Sequence, residues 1–208
     1  MAVWQMRALC LLAGYLCGSF LTAAVVVRVK TGGSFRNVGT GNPGMANVMD
    51  HLGFVPGALT LLGDILKTVA ACALCYHVFF PELGRAAILF AGVGAVVGHN
   101  YPVWFRFRGG KGVAVTCTAL ILFAPIAGTL SDIAGMLVVF ATGFLGLGSI
   151  VITSVFLAAS FLLYDPPIWI LAAALEGLML LRHGDSLGRI KNGTEKKVLK
   201  LFGRRSDH

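Results

Sequence analysis

The sequence predicts an all-α, polytopic integral membrane protein with about seven transmembrane helices, some of them short. Two observations support this fold class. Hydrophobic residues make up 57% of the 208 residues and charged residues only 12%, whereas soluble domains carry about 25% charged residues. The apolar residues also form runs that approach the ~20 residues needed to cross a bilayer. We therefore expect one membrane domain over residues 1–208 and no separate soluble domain.

Polar breaks between the apolar runs place the helices in order along the chain. We expect spans at about 4–28, 56–80, 85–104, 112–129, 132–147, 150–164 and 168–182. The fifth to seventh runs are short, so some of them are expected to cross only part of the bilayer. The small residues of Gly92-x-Gly94 and Gly143-x-x-Gly146 would let helices approach closely within the membrane.

The distribution of charge predicts the orientation. With seven spans, the loops at about 28–55, 105–111 and 146–149 and the tail from residue 182 share one side, and they contain 14 of the 17 Lys and Arg residues. Because cytoplasmic loops carry an excess of Lys and Arg, we expect the N-terminus outside and the C-terminus in the cytoplasm. The net charge of +8 then suits anionic lipid headgroups or phosphate substrates better than nucleic acid.

The first cytoplasmic loop combines one cation with a cluster of glycines, hydroxyls and amides. The cluster contains Arg36, Gly39, Thr40, Gly41, Asn42 and Asn47. Glycines allow backbone N–H groups to turn toward an anion, and an arginine can bind phosphate through two parallel hydrogen bonds. This pattern indicates phosphate binding, although a flexible, turn-rich loop would also explain it.

The second cytoplasmic loop contains a possible phosphate cradle in front of a helix. It consists of Gly109, Gly110, Lys111 and Gly112, and His99 stands just before it at the end of a span. Backbone donors, one ammonium and a helix N-terminus suit an anion, but the Ser/Thr of a Walker A loop is missing. Interfacial anchoring of Lys111 and a headgroup-level His99 without a role are the alternatives.

Two further groups of polar residues are candidates for function. The tail contains Arg182, His183, Ser186, Arg189 and Glu195, whose cations could also simply anchor the last helix. Asp64 and Lys67 lie within a predicted span, where each charge costs roughly 2.5–3.5 kcal/mol. Charges inside spans normally mark function. Because the two residues are three apart on one helix face, mutual pairing as a structural element is the alternative.

Several familiar catalytic patterns are absent from the sequence. There is no Gly-x-Ser-x-Gly motif and no metal-spaced cluster of histidines and cysteines. This absence disfavours covalent serine catalysis and two-metal catalysis. We interpret Cys72-x-x-Cys75 as small apolar filling within a helix, and we expect no metal and no cofactor.

Taken together and in this order, the three cytoplasmic segments resemble the bacterial acyl-phosphate:glycerol-3-phosphate acyltransferase family. The matching residues are Gly18, Ser19, Arg36, residues 39–42, Gly44, Asn47, Val48, Asp64, Lys67, residues 98–114, Arg182, His183, Arg189, Gly193 and Glu195. The resemblance covers the whole chain, and the joint pattern is far more specific than any single loop.

The sequence also departs from the family pattern at several positions. Thr40 replaces a serine, Ser34 an aspartate and Ala46 a threonine. Asp50 stands where the family has an arginine, and Ser186 where it has an asparagine. The change at Asp50 reverses a charge, which would weaken the binding of a phosphate or indicate a different acceptor.

The resemblance implies transfer of a fatty acyl group from acyl phosphate to the 1-hydroxyl of glycerol 3-phosphate. The products would be lysophosphatidic acid for phospholipid biosynthesis, and phosphate. By this resemblance His99, Lys111, Thr40 and Asn42 would be catalytic. The substrate-binding residues would be Arg36, Gly39, Gly41, Asn47, Asp64, Lys67, Gly109, Gly110, Gly112, Arg182, His183, Ser186, Arg189 and Glu195.

The expected partners are the two substrates and membrane lipids, without nucleic acid or an obligate protein partner. We expect a multi-pass protein of the bacterial cytoplasmic membrane with its active site on the cytoplasmic face. The alternative is a divergent member that binds lipid or phosphate without turnover, or that uses another acceptor.

Overall fold

Helices form all of the regular secondary structure in residues 1–197, the part of the chain that the computed structural model describes. The α-helices are α1 (Val3–Gly18), α2 (Thr22–Thr31), α3 (Met45–Leu52), α4 (Phe54–Ala73), α5 (Arg85–Asn100), α6 (Val113–Phe123), α7 (Pro125–Thr142), α8 (Leu145–Leu163) and α9 (Pro166–Lys191). The predicted all-α class is confirmed.

Within the described residues, five helical segments are long and apolar enough to cross a membrane. They are Val3–Thr31, Phe54–Phe79, Arg85–Phe105, Pro125–Thr142 and Leu145–Leu163. The 11-residue α6 and the long α9 are not among them. The expected seven spans and the orientation of the termini therefore stay predictions. Three cations of the predicted cytoplasmic tail, Lys200, Arg204 and Arg205, lie outside the described residues.

The chain divides into two compact units. The first comprises Met1–Pro125 and contains α1 to α6, and the second begins at Ile126 and, among the described residues, contains α7 to α9. The expectation of a single membrane domain over residues 1–208 stays a prediction.

Helix α5 forms the centre of the first unit and packs closely against α1 through glycines. A Cβ atom added to Gly94 would lie 2.1 Å from the carbonyl oxygen of Leu11, and one added to Gly98 would lie 2.1 Å from that of Tyr15. Gly14 and Gly18 of α1 meet α5 carbonyl oxygens in the same way. The backbones can approach this closely because no side chain separates them. This contact fixes the end of α5, where His99 lies.

Several helix boundaries differ from the sequence prediction. The expected first span 4–28 is divided into α1 and α2, and α9 continues past the expected end at 182 to Lys191. The expected break at 130–131 lies inside α7, and the chain instead breaks before Pro125, whose ring removes a backbone N–H donor. Ser131, the polar residue at the expected break, donates its hydroxyl to the Ala127 carbonyl within the helix at 2.7 Å. The loop expected at 146–149 is the first turn of α8.

In the second unit, α8 packs against α9 around a partly buried polar contact. Glu176 of α9 accepts hydrogen bonds from the hydroxyls of Thr153 and Ser154 on α8. Gly146 lies against Ser186, as expected for a packing glycine. Gly143 differs from its prediction, because it occupies the turn between α7 and α8 with φ at 82°.

Candidate active site

A single asparagine side chain shapes the first glycine-rich loop. The Asn47 Oδ1 accepts hydrogen bonds from the backbone N–H of Thr40 at 2.9 Å and from its hydroxyl at 3.1 Å. The Asn47 Nδ2 donates to the carbonyls of Val38 at 2.9 Å and Asn42 at 3.0 Å. These bonds use both ends of the amide. Asn47 therefore holds the loop in a tight turn against the start of α3.

The glycines of this turn have backbone conformations and close contacts that a larger residue would not tolerate. Gly39 and Gly41 have φ values of 53° and 71°, in the left-handed region that glycine occupies most readily. A Cβ atom on Gly39 would also lie 2.2 Å from the Cε1 atom of His51. The turn consequently needs glycine at position 39 for both conformation and space.

Arg36 connects the first loop to the second. Its Nη2 atom donates to the backbone carbonyl of Phe105 at 2.8 Å and to that of Arg108 at 3.4 Å. The ring of Phe35 packs edge-to-face on Phe105, with 5.5 Å between ring centroids. The two glycine-rich segments, 69 to 72 residues apart in sequence, are thereby neighbours in the first unit.

The second glycine-rich loop folds back onto the end of α5. The backbone N–H groups of Gly109 and Gly110 donate to the carbonyls of Asn100 at 3.1 Å and His99 at 3.0 Å. A Cβ atom on Gly110 would lie only 2.1 Å from the Nε2 atom of His99. Glycine at position 110 thus lets the loop lie directly against one edge of the imidazole ring. Gly112, with φ at 78°, then leads into α6.

Two non-glycine residues in left-handed conformation precede this loop. Arg106 and Phe107 have φ values of 55° and 59°, which is uncommon for residues with a side chain. Lys111 is half-buried within the loop. The backbone before the loop is therefore tightly bent.

The two charges predicted within a span meet His99 in a buried cluster. The Nζ atom of Lys67 lies 2.7 Å from Oδ1 of Asp64, 2.8 Å from the carbonyl oxygen of Phe20 and 2.9 Å from Nδ1 of His99. Asp64 and His99 are each 3% exposed, and Lys67 is 9% exposed. The pairing of Asp64 with Lys67 that the sequence left open is present, and it extends to His99.

Asn100 is a buried polar residue that the sequence interpretation did not select. It is completely buried, and neither atom of its side-chain amide has a hydrogen-bond partner among the described residues. A Cβ atom on Gly112 would lie 2.6 Å from its Oδ1 atom, so the amide faces the glycine-rich loop. An unsatisfied buried amide costs about 1–3 kcal/mol. The only signal in the sequence is its place between His99 and the Tyr-Pro that follows.

The second unit holds the third predicted segment, from Arg182 onward. His183 is 2% exposed and its Nδ1 donates to the Met179 carbonyl at 3.0 Å. The Ser186 hydroxyl donates to Glu195, and Arg189 Nε donates to the same carboxylate at 2.5 Å. The hydrogen bond from Arg189 to this carboxylate raises the pKa of the guanidinium above its usual value. Glu195 thus ties the residues after α9 back to that helix.

The family departure at position 50 lies on the surface of α3. The Asp50 side chain is 30% exposed, and its Oδ2 lies 3.7 Å from Nδ1 of His51. The neighbouring His51 Nδ1 lies 3.0 Å from the carbonyl of Asn47. Asp50 therefore lies beside the first glycine-rich loop, which Asn47 holds in place.

Comparison with known proteins shows similarity over almost the whole chain. The family model described as glycerol-3-phosphate acyltransferase matches residues 8–193. A glycerol-3-phosphate acyltransferase of Alkaliphilus metalliredigens is 33% identical over 191 residues, which cover 91% of this chain and 95% of that relative. One from Photobacterium profundum is 35% identical over 206 residues, covering 95% and 96%.

A solved structure shows the same fold. The crystal structure of PlsY, an integral membrane glycerol 3-phosphate acyltransferase in its glycerol 3-phosphate form, matches with a TM-score of 0.83 and 28% identity. The match covers 95% of this chain and 99% of that one. The motifs, the helical membrane fold and the matched relatives agree, and the chain belongs to the glycerol-3-phosphate acyltransferase family.

Proposed function

We propose that this chain is a multi-pass membrane enzyme that acylates the 1-hydroxyl of glycerol 3-phosphate, with acyl phosphate as the donor. Its family membership supports the acyl transfer, and PlsY structures in glycerol 3-phosphate and lysophosphatidic acid forms support this acceptor and product. The observation that carries the proposal is that Arg36 joins the two glycine-rich loops through its hydrogen bonds, and that Lys111 and His99 lie beside this junction.

The proposed reaction is balanced without a cofactor. The acceptor hydroxyl oxygen forms a bond to the carbonyl carbon of the acyl phosphate. The bond from that carbon to the bridging oxygen breaks, and phosphate leaves with the electron pair. The hydroxyl proton passes to the released phosphate or to water. Because acyl phosphate is already an activated mixed anhydride, the protein mainly has to position two anions and stabilise developing negative charge.

The loop residues divide into groups that contact substrate and groups that shape the loops. The N–H groups of Gly109 and Gly110 already donate to the carbonyls of Asn100 and His99, so in this proposal the phosphate contact of the second loop is Lys111. His99, Thr40 and Asn42 orient acceptor and carbonyl. Arg36 reaches phosphate from the loop junction. Asn47, Gly39 and the glycines of the second loop define the backbone positions, as their hydrogen bonds and close contacts require.

The third segment supplies the remaining proposed binding residues. Arg182, His183, Ser186 and Arg189 would bind the acceptor, with Glu195 holding Ser186 and Arg189 in place. We place this chemistry at the cytoplasmic face of the bacterial inner membrane, because 14 of the 17 cations lie in the loops and tail that the sequence assigns to that side.

A second candidate function is binding of lipid or phosphate without turnover, or acylation of a different acceptor. The observation that favours it is the carboxylate of Asp50, which stands at the position where the family pattern has an arginine. This carboxylate is partly exposed beside the first glycine-rich loop. A negative charge there repels a dianionic acceptor, whereas it would tolerate a neutral or cationic one.

The test is an assay of the purified protein in detergent with palmitoyl phosphate and glycerol 3-phosphate. We expect phosphate and lysophosphatidic acid to appear in equal amounts, and no lysophosphatidic acid without the acceptor. Release of phosphate that does not depend on glycerol 3-phosphate would indicate hydrolysis and contradict the proposal. Substrate binding by calorimetry without any product would favour the non-catalytic alternative.

A further inference from the structure

The imidazole ring of His99 is held between a buried cation and the glycine-rich loop. Its Nδ1 atom lies 2.9 Å from Lys67 Nζ, and its Nε2 atom lies against Gly110. The two ring nitrogens therefore face opposite sides of the site, one into the membrane-buried cluster and one toward the proposed phosphate loop.

The hydrogen bonds around Lys67 decide which ring nitrogen has the proton. An ammonium has three N–H donors and no lone pair. Lys67 Nζ donates to the Phe20 carbonyl at 2.8 Å, forms an ion pair with Asp64 Oδ1 at 2.7 Å and lies 2.9 Å from His99 Nδ1. The first two partners can only accept. Because an ammonium can only donate, Nδ1 accepts in its contact with Lys67, and the proton of a neutral ring is then on Nε2.

Burial and charge keep the ring neutral in this arrangement. Asp64 and Lys67 form a balanced pair whose side chains are only 4% and 6% exposed. A proton added to Nδ1 would place a second positive charge 2.9 Å from the ammonium in a poorly solvated position. The charged groups that approach His99 are Asp64 and Lys67 from α4, and Lys111 follows Gly110 on the loop side.

We infer that Lys67 and Asp64 are positioning residues that fix His99 as the neutral tautomer with its proton on Nε2, so that it serves as a hydrogen-bond donor at the glycine-rich loop. This inference rests on the proposed function, in which that loop binds the acyl phosphate. His99 then donates to a phosphoryl or carbonyl oxygen of the substrate and does not act as a general base. Lys67 and Asp64 act through His99 and need no contact with substrate.

Nitrogen-15 NMR tests the tautomer without any reference to activity. The protein has five histidines, so a histidine-labelled sample in detergent is compared with the same sample of His99→Gln to assign the His99 ring. We expect a protonated Nε2 and an unprotonated Nδ1 near neutral pH. A protonated Nδ1, or a ring with both nitrogens protonated, would overturn the inference.

The variant Lys67→Met removes the donor and should move the ring proton. The Asp64 carboxylate, with Oδ1 3.6 Å from His99 Nδ1, would then accept from that nitrogen and leave Nε2 without a proton. Above neutral pH, the kcat of Lys67→Met should be on the order of 100-fold lower than the wild-type kcat, which is the effect of losing one hydrogen-bond donor. The ratio of variant kcat to wild-type kcat should rise again as acid protonates the ring and restores the Nε2–H donor.

Two comparison variants separate positioning from simple packing. Lys67→Arg keeps a cationic donor next to His99. Its kcat relative to wild type should therefore not change with pH and should stay well above that of Lys67→Met. Thr60→Ala changes a buried hydroxyl of the same helix, bonded to the Pro56 carbonyl at 2.9 Å, and should give a flat ratio near one. A ratio for Lys67→Met that is low but independent of pH would contradict the positioning role.

The NMR measurement and the activity assay together also distinguish this inference from the proposed function. If wild-type protein has the Nε2–H tautomer and releases no lysophosphatidic acid, the positioning of His99 is supported and the acyltransferase proposal fails. If the protein is active while its Nδ1 is protonated, the acyltransferase proposal is supported and this inference fails. If Lys67→Met does not fold, the NMR measurement on wild-type protein decides.

Discussion

Replacing Gly110 by alanine would place a methyl group against the ring of His99. The added Cβ atom would lie 2.1 Å from Nε2, more than 1 Å short of ordinary van der Waals contact, which begins at 3.4 Å. Neither side can easily move. The backbone of Gly110 is hydrogen-bonded to the His99 carbonyl at 3.0 Å, and the ring is held by Lys67 at 2.9 Å from its other edge.

The expected cost of this substitution has two parts. Forcing an extra methyl group into a packed site destabilises a protein by about 1–3 kcal/mol. A displacement of about 1 Å at a reacting centre lowers activity by about 100-fold. We therefore expect Gly110→Ala to fold, with a somewhat lower Tm, and to lose most of its kcat/KM for both substrates.

The assay is phosphate release from palmitoyl phosphate in the presence of glycerol 3-phosphate, with thermal unfolding measured on the same sample. Gly177→Ala is the matched control, because a Cβ atom there meets nothing within 4 Å in the middle of α9. It should keep full activity. A folded Gly110→Ala protein with wild-type kcat/KM would refute the close contact between His99 and the loop as a requirement for activity.

Three further predictions concern the charge and topology of the site. Lys111→Ala should remove roughly 2–4 kcal/mol of transition-state stabilisation while the protein still folds; activity close to wild type would make Lys111 an interfacial anchor. Asp50→Arg should lower KM for glycerol 3-phosphate by about 5- to 150-fold with little change for acyl phosphate. Abolished activity would instead assign Asp50 to an altered acceptor site. In a background without the five native cysteines, a cysteine at position 108 should not react with impermeant reagents outside intact cells, whereas one in the 82–85 loop should.

The sequence alone was sufficient for the fold class and the family. A charged fraction of 12% and apolar runs of near-membrane length depend only on composition and local order, so they predict a helical membrane protein directly. The cytoplasmic motifs could also be recognised, because glycine, lysine and arginine in fixed order are visible in one dimension. The helical period further placed Asp64 and Lys67 on one face, where they do pair.

Some helix boundaries were predicted wrongly because polar residues were interpreted as solvent-exposed breaks between helices. Ser131 satisfies its hydroxyl within α7, so the helix continues through it. The actual break comes at Pro125, for the stereochemical reason that proline lacks a backbone donor.

The contacts that assemble the candidate site were decided by the tertiary structure. Arg36 binds two backbone carbonyls, and backbone groups have no residue type that a sequence pattern could match. His99 reaches Lys67, 32 residues earlier, because glycines let α1 and α5 pack closely and α4 completes the same unit. Composition and helical period are properties of neighbouring residues, whereas these contacts depend on which helix faces meet, and that is fixed only when the whole unit packs.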